Sequence, residues 1–290
     1  MKIISLMICC FFTVTIQAQQ ISGSRVMAQT KSKVAHSKKN GAAQPSKGTN
    51  PGNSYNTLFQ YGVADAFIGG LFEATLPVSE LKQHGDFGIG APGLVDGELI
   101  VYNGHAYQTQ ATGITREMPD TSKTALGFVT FFKADTAFHI IAAQNQKEAF
   151  DQIGKYLQQN NGIYAIRISG NFSHLKTRAF PPYTQKPYPP LATLINRQKF
   201  FEFSNTKGTI VGYKLPHYLN GLSIEGFHFH FLSDSKTQGG HVLDFAGADL
   251  LVEVAKIQRF TLSVPQDDDF MNYNFIKKDN PDLEKVEKGH

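Results

Sequence analysis

Short runs of β-branched and aromatic residues, separated by glycine, asparagine and proline, occupy most of the chain beyond residue 96. The clearest is GELIVYNGHAYQTQ at residues 97–110, in which Asn103 and Gly104 suit the positive φ angles of a tight hairpin turn. The same criteria predict further strands at residues 127–132, 162–170, 208–214, 248–257 and 258–264. A chain with so many short strands folds around sheets whose pairing is mostly antiparallel.

Two stretches have the spacing of amphipathic helices instead. The first begins near Tyr55 and carries apolar residues at Leu58, Tyr61, Ala64, Phe67 and Leu71. The second begins at Asn145, a capping residue, with Glu148 at the reciprocal position of a capping box. The predicted fold class is therefore α+β, with mixed or antiparallel sheets and a few helices.

The stretch PPYTQKPYPP at residues 181–190 is too rich in proline to lie in a central strand. It is predicted to be the hinge between two β-rich domains, at residues 55–185 and 186–290. A chain of 290 residues with 41% hydrophobic content is long enough for two such domains.

Residues 1–18 have the pattern of a secretory signal peptide: a basic Lys2, an apolar stretch at residues 3–16 and the small residue Ala18. The apolar stretch is too short for a stable membrane span. Both cysteines, Cys9 and Cys10, lie inside it, and Ile8 before Cys9 argues against a lipid anchor. We therefore expect export to a periplasm or to the extracellular space.

Residues 19–54 are rich in Gln, Ser, Lys and Gly, which predicts a disordered basic linker. Seven of the 28 basic residues and none of the 24 acidic residues lie in residues 1–54, so residues 55–290 carry 21 basic and 24 acidic side chains. The predicted folded part is mildly acidic despite the formal net charge of +4. We therefore expect no nucleic-acid partner.

Three histidines mark a candidate site. His228 and His230 lie two apart in GFHFHF, residues 226–231, so on a strand both point to one face and the phenylalanines point to the other. The turn-rich residues 233–240 let the chain double back and place His241 beside His230. Three imidazoles on one face suit zinc with an open position for substrate, although iron, manganese or copper are alternatives. Three half-exposed histidines on a solvated sheet face remain the simpler interpretation.

Charged residues near predicted strands are less informative. Glu98 opens a strand after a glycine-rich loop, while Arg167 and Arg178 lie in or just past another apolar strand. Each is either an ordinary surface charge or a group directed into a cleft, and periodicity does not decide between the two.

Three blocks resemble the alpha-acetolactate decarboxylase family, in the order in which that family has them: residues 76–108 with HGDFGIG and DGEL, 164–191 with KTRAF, and 226–245 with GFHFHFLS and GGH. The resemblance covers roughly residues 55–290. It implies two β-rich domains with zinc held between them by His228, His230 and His241, and a homodimer. Family members usually carry Thr where this chain has Ala91.

The resemblance also implies an activity, the conversion of 2-acetolactate to acetoin and CO2 through a zinc-stabilised enediolate. Glu98, Arg178 and a C-terminal glutamate, best matched by Glu287 with Glu284 close by, would then be catalytic. Arg178 is expected to pair with substrate oxygens. Either Glu98 or Glu287 is expected to protonate the enediolate carbon.

Two other interpretations stay open. A cupin-type metal-dependent oxygenase also begins with His-x-His on a strand, and Asp234 falls near the position of its acidic ligand. That ligand is normally Glu, however, and its last histidine comes much later than His241. The other interpretation is a secreted β protein that binds a metal or small molecule without catalysis.

Overall fold

The computed structural model describes residues 55–275, so the predicted signal peptide, the linker, Glu284 and Glu287 lie outside the described residues. Within that range the strands are β1 (Thr57–Tyr61), β2 (Leu76–Pro77), β3 (Phe87–Pro92), β4 (Glu98–Tyr102), β5 (His105–Thr109), β6 (Thr115–Glu117), β7 (Lys123–Thr130), β8 (Thr136–Ala143), β9 (Ile163–Ala179), β10 (Lys199–Leu215), β11 (Gly226–Ser233), β12 (Gly239–Ile257) and β13 (Arg259–Ser263). The α-helices are α1 (Ala64–Ile68), α2 (Val78–Leu81), α3 (Gln146–Leu157) and α4 (Asp268–Met271), and short 3₁₀ helices lie at Gly93–Val95, Leu191–Arg197 and His217–Leu219. This confirms the predicted α+β class.

The strands form two sheets. Sheet A has the order β13-β1-β7-β3-β4-β5-β6, with β2 paired to β7. Its β1–β13 pair is parallel and its other pairs are antiparallel, so it is a mixed sheet. Sheet B is antiparallel with the order β11-β10-β9-β12-β8. Because β11 also pairs with β12, the four strands β9 to β12 close on themselves.

The chain passes from sheet A to sheet B between Thr130 and Thr136, and it returns to sheet A at β13. The proline-rich residues 181–190 join β9 to β10, which pair with each other in sheet B. The boundary predicted at residues 185/186 thus falls between two neighbouring strands of one sheet, and as a division into domains it stays a prediction.

Two large apolar clusters surround sheet B. The first packs side chains of sheet A against those of sheet B, for example Phe87 and Phe128 against Tyr213. The second lies beneath α3 and includes Phe229 and Phe231. This confirms that the phenylalanines of GFHFHF point into a core, away from the histidines. Each such buried ring stabilises the fold by roughly 1.5–3 kcal/mol relative to exposure.

The helix predicted from Tyr55 to Leu71 is wrong for its first half, which forms β1 and is followed by the short α1. β1 is paired along both edges, with β7 and β13, and both of its faces are buried. Leu58 packs in one apolar cluster, and Phe59 and Tyr61 pack in another. Gly62, with φ +80, ends the strand, and a Cβ there would lie 2.8 Å from the carbonyl oxygen of Ala125. The apolar pattern imitated a helix because a doubly covered strand has no alternation.

Two local predictions are confirmed. β4 and β5 form the expected hairpin, with Asn103 and Gly104 at φ +53 and +79. Helix α3 begins after Asn145, whose side chain accepts a hydrogen bond from the backbone N–H of Glu148 at 2.9 Å. No helix among the described residues is long and apolar enough to cross a membrane.

Candidate metal centre and active site

Strand register brings side chains of three strands onto one face of sheet B. His230 on β11 is paired with His241 on β12, and His241 is paired on its other side with Arg178 on β9. Directly paired residues of antiparallel strands share a face, and His228 joins them because it lies two residues before His230. The predicted position of His241 across from His230 is confirmed.

The three imidazoles face one another. Ring centroids are 5.3 Å apart for His228 and His230, 5.0 Å for His228 and His241, and 5.4 Å for His230 and His241. One nitrogen of each ring lies within 4.8 Å of the corresponding nitrogens of the other two. All three side chains are buried, with at most 9% of their surface exposed. The interpretation of half-exposed histidines on a solvated face is therefore wrong.

His230 offers a nitrogen that fits a cation. Its Nδ1 donates to the carbonyl oxygen of Leu99 at 2.8 Å, so the neutral ring keeps a lone pair on Nε2. This Nε2 is buried without a hydrogen-bond partner and lies 3.3 Å from Oε2 of Glu98. A lone pair that faces a carboxylate oxygen is unfavourable unless a cation lies close to both. The donor set therefore fits a divalent metal, with the Leu99 carbonyl fixing the ring as metal-site neighbours do.

The separation of the nitrogens also suits one ion. Two nitrogens bound to zinc at about 2.1 Å can be no more than about 4.2 Å apart. The three nitrogens lie within 4.8 Å of one another, so small movements of the rings are enough to meet this requirement.

His228 and His230 are in the protonation state that a metal requires. Burial, followed by the charge of Arg178, lowers the pKa of His228 to about 3. Burial is also the main reason that the pKa of His230 lies well below its ordinary value, with His228 and Arg178 acting in the same direction. Both rings are thus neutral at pH 7, and neutral imidazole is the form that binds metal.

Glu98 and Arg178 form a buried ion pair beside the histidines. Nη1 of Arg178 donates to Oε1 of Glu98 at 2.6 Å, and the two side chains are 3% and 9% exposed. The carboxylate therefore lies between the guanidinium group and His230. Arg167, in contrast, is bound through two hydrogen bonds by Glu253, at 2.6 and 2.7 Å.

The backbone that leads into Glu98 is strained. Leu94 and Val95 both have φ +59, and Gly97 has φ +82. A β-branched residue such as Val is seldom found in this region, and each such residue costs about 1–3 kcal/mol. At Gly97 a Cβ would lie 2.0 Å from the carbonyl oxygen of Thr109, so only glycine fits there.

Glu98, Arg178 and the three histidines line one wall of a small pocket with a cavity volume of about 30 Å³. The rest of the lining is largely apolar and comes from both sheets and their connections: Phe67, Ala91, Val95, Leu126, Phe128, Phe180, Leu191 and Ile224. The guanidinium carbon of Arg178 lies 5.1 Å from the centre of the Phe180 ring. Convergent polar groups in an apolar pocket are typical of a small-molecule site.

Sequence reasoning missed the apolar wall, Phe180 and the Leu99 carbonyl. Nothing local distinguishes these residues from ordinary core residues, because they meet the histidines only through the packing of the two sheets. Asp234, the acidic ligand that a cupin-type oxygenase would need, is exposed and does not belong to the histidine group.

Fold and site together define a class, a β-rich α+β protein in which three histidines that could hold a metal and a Glu–Arg pair line a pocket between two sheets. The sequence profile of the alpha-acetolactate decarboxylase family matches residues 58–277, and the chain belongs to this family. The resemblance stated from sequence is confirmed, and the cupin interpretation is not favoured.

Individual relatives agree with this assignment. An alpha-acetolactate decarboxylase from Methanosarcina mazei is 37% identical over 238 residues, which cover 81% of this chain and 82% of the relative. One from Bacillus subtilis strain 168 is 33% identical over 228 residues, 79% of this chain and 88% of the relative. The X-ray crystal structure of alpha-acetolactate decarboxylase from Bacillus subtilis strain 168 matches with a TM-score of 0.76 at 32% identity, covering 81% of this chain and 100% of that one.

Proposed function

We propose that the protein is a zinc-dependent carboxy-lyase that converts 2-acetolactate to acetoin and CO2. One observation carries the proposal: three buried histidines and the Glu98–Arg178 pair meet in a single apolar-walled pocket. Relatives that cover most of the chain are named for this activity.

The substrate itself explains which groups are needed. 2-Acetolactate is a β-keto acid, so when the bond to its carboxylate breaks, the electron pair passes to the neighbouring ketone and an enediolate forms. Zinc held by His228, His230 and His241 would supply Lewis-acid stabilisation of the negative charge that develops on oxygen. With that stabilisation available, neither thiamine nor pyridoxal is required.

Arg178 contributes a fixed positive charge within reach of the substrate. Its guanidinium group is held in place by Glu98 on one side and by the ring of Phe180 on another. A planar guanidinium group pairs well with two oxygens at once, which suits a carboxylate or an adjacent hydroxyl and ketone. Because the group is positioned before substrate arrives, it need not reorganise during the reaction.

Glutamates complete the proton transfers. One must return a proton to the enediolate carbon, and the other must handle the proton of the substrate hydroxyl. Glu98 is in the pocket, with Oε1 bound to Arg178 and Oε2 3.3 Å from Nε2 of His230, so its carboxyl group is placed to take part in one of these transfers. Glu287, outside the described residues, is proposed for the second role.

Incubating the purified protein with 2-acetolactate, with a colour assay for acetoin, tests the proposal. Acetoin should form at the same rate with and without oxygen, since decarboxylation consumes none. Treatment with a chelator should abolish the activity and added zinc should restore it. Activity that survives complete metal removal would contradict the role of the histidines, and a requirement for oxygen would favour an oxygenase.

We also propose that the protein is exported and acts as a homodimer. The signal-peptide pattern of residues 1–18 supports export. The homodimer is what the sequence resemblance to the family implies. Mass spectrometry of protein from the producing cells should find a mature chain that lacks residues 1–18. Sedimentation should give the mass of two chains, and a monomer at micromolar concentration would contradict the dimer.

A further inference from the structure

Asp96 accepts an unusual number of hydrogen bonds for a residue in a short connection. Nε2 of Gln108 donates both to its backbone carbonyl oxygen and, at 3.0 Å, to Oδ2. Nε2 of Gln110 donates to the same Oδ2 at 2.9 Å. Gln108 lies on β5 and Gln110 lies just after it, so both belong to the second strand of the hairpin that begins at Glu98. Side chains of this second strand therefore bind Asp96, which precedes the first strand.

The orientation of the second amide is itself fixed. Nη2 of Arg116 donates to Oε1 of Gln110 at 2.6 Å, which leaves the amino group of Gln110 directed to Asp96. A carboxylate oxygen that accepts two amide N–H groups is held in one place by hydrogen bonds to a charged acceptor, which are stronger than neutral ones. The three side chains Asp96, Gln108 and Gln110 form a unit that we name the amide clamp.

The amide clamp acts on the strained segment that precedes Glu98. Val95 at φ +59 and Gly97 at φ +82 lie on either side of Asp96. On the opposite side the backbone N–H of Gly97 donates to the carbonyl oxygen of Phe180 at 2.9 Å. A conformation of this kind persists only where its surroundings determine it fully, and the clamp provides contacts that do so.

We propose that Asp96 is a positioning residue, which through the amide clamp keeps its neighbours Leu94, Val95 and Gly97 at their positive φ angles. It thereby holds the carboxyl group of Glu98 against Arg178 and His230. The inference rests on the proposed role of Glu98. The reaction rate then depends on the carboxylate of Asp96, although this group does not face the pocket. Without it the carboxyl group of Glu98 would be displaced, and a small displacement of a reacting group lowers the rate strongly.

The shared oxygen gives a sharp pair of variants. Both glutamines donate to Oδ2 of Asp96, so an asparagine can present its single amide oxygen at that place and accept both bonds. Asp96→Asn therefore keeps the geometry and removes the charge, whereas Asp96→Ala removes both. Glu117→Ala is the matched control, since it removes a half-exposed carboxylate that pairs with His105 on the same group of strands.

Steady-state kinetics of acetoin formation, zinc content and crystal structures of the three variants make the test. For Asp96→Ala we expect kcat to fall by about 10- to 100-fold with KM changed by less than about 3-fold. Zinc content should be unchanged, because the histidines lie on sheet B. Asp96→Asn should stay within about 3-fold of the unmodified protein, and Glu117→Ala should match it.

The crystal structures separate this inference from the proposed function. The distance of 2.6 Å between Oε1 of Glu98 and Nη1 of Arg178 should persist in Asp96→Asn and be lost in Asp96→Ala, whatever reaction the protein catalyses. An unchanged distance and kcat in Asp96→Ala would overturn the inference, as would an Asn variant that is as slow as the Ala variant. If Asp96→Ala does not fold, Gln108→Leu removes two of the three bonds and carries the same expectations.

Discussion

A single hydrogen bond decides which nitrogen of His230 is available to a metal. Nδ1 is occupied by the carbonyl oxygen of Leu99, so Nε2 is the atom that remains. Leu99 lies on β4 of sheet A and His230 on β11 of sheet B, so the bond that sets the tautomer also joins the two sheets. The packing of the two sheets against each other therefore also fixes the tautomer of His230.

Replacing Arg178 tests its charge in the pocket. Arg178→Ala should lower kcat/KM by at least about 10²-fold, the effect of losing one preorganised charge-stabilising donor. It should also lower the melting temperature, because Glu98 would be left buried beside the histidines without its guanidinium partner. Arg259→Ala, which removes an exposed arginine of β13, is the control. A near-normal kcat/KM in Arg178→Ala would remove this residue from the reaction.

Replacing the glutamates tests proton transfer. Glu98→Gln can still accept a hydrogen bond from Arg178, but an amide cannot deliver a proton as a carboxyl group does. We expect slow formation of acetoin, loss of a single handedness in the product, or both, as also for Glu287→Gln. Chiral chromatography of the acetoin gives the measurement. Unchanged rate and handedness in both variants would discard the proton-donor assignment.

Among individual residues, the sequence predicted the positions of those site residues that depend only on local strand geometry. The alternation in GFHFHF and the turn before His241 were enough to bring the imidazoles together, because a strand has a period of two. Whether Glu98 and Arg178 are surface charges could not be decided, since their burial depends on contact between sheets. The amide clamp was missed for a similar reason, as side-chain directions of Gln108 and Gln110 do not follow from the hairpin register.

At the start of β12, the residue before His241 is Gly240, which is packed closely against neighbouring backbone. A Cβ on Gly240 would lie 2.8 Å from the carbonyl oxygen of Arg178, and the residue has φ +122. Gly226, which begins β11, also has a positive φ of +80, yet a Cβ there would meet nothing within 4 Å. Both glycines have a positive φ, but only Gly240 is crowded. Substitutions at the two positions therefore distinguish the effect of crowding from that of backbone strain.

Comparing these glycines tests how β12 positions its ligand. Gly226→Ala should cost only about 1–2 kcal/mol for the left-handed conformation. Gly240→Ala should cost more and weaken zinc binding by about 10-fold, because β12 must shift and a misplaced ligand binds less well. Competition titration with a zinc-sensitive dye and thermal unfolding give both quantities. Equal zinc affinity in the two variants would show that β12 does not set the position of His241.

Elements were predicted well where neighbours in sequence decide them. The hairpin of β4 and β5 and the capped helix α3 each depend on a few adjacent residues. β1 was mistaken for a helix because its second partner, β13, lies about 200 residues later in the chain. Because β1 is also buried on both faces, it lacks the apolar–polar alternation that would indicate a strand.

The two sheets are also joined through Tyr213 of β10. Its hydroxyl is within hydrogen-bond distance of the carbonyl oxygens of Phe87, at 3.3 Å, and Phe128, at 3.2 Å, both in sheet A. The side chain is 1% exposed, and burial, followed by the charge of Asp86, raises the pKa of Tyr213 well above its ordinary value. Tyr213 thus remains protonated in the folded protein at pH values where a free tyrosine ionises.

This shift predicts a loss of stability in alkali. Above pH ~10 the unfolded chain releases the Tyr213 proton and the folded protein keeps it, so the free energy of unfolding falls by about 1.4 kcal/mol per pH unit. Below pH ~10 the contribution is constant. Urea unfolding from pH 7 to 11 should show a shallower alkaline decline for Tyr213→Phe than for the unmodified protein. Parallel declines would contradict the assignment.

Arrangement of the whole molecule was the least predictable level. The pairing of β13 with β1 and the pairing of β12 with β9 both depend on strands that are far apart in the sequence. The proline-rich residues 181–190 indicated a break in the chain, but proline content does not reveal whether the strands on either side share a sheet.

The four strands β9 to β12 form a closed ring of hydrogen-bonded neighbours. β11 and β12, which carry the three imidazoles, are each hydrogen-bonded on both sides, so their spacing does not depend on an occupant. Chelated protein should consequently accept cobalt(II) without refolding, and visible absorption bands should develop at the mixing rate in a stopped-flow spectrometer. A lag of seconds would mean that the strands part when they are emptied.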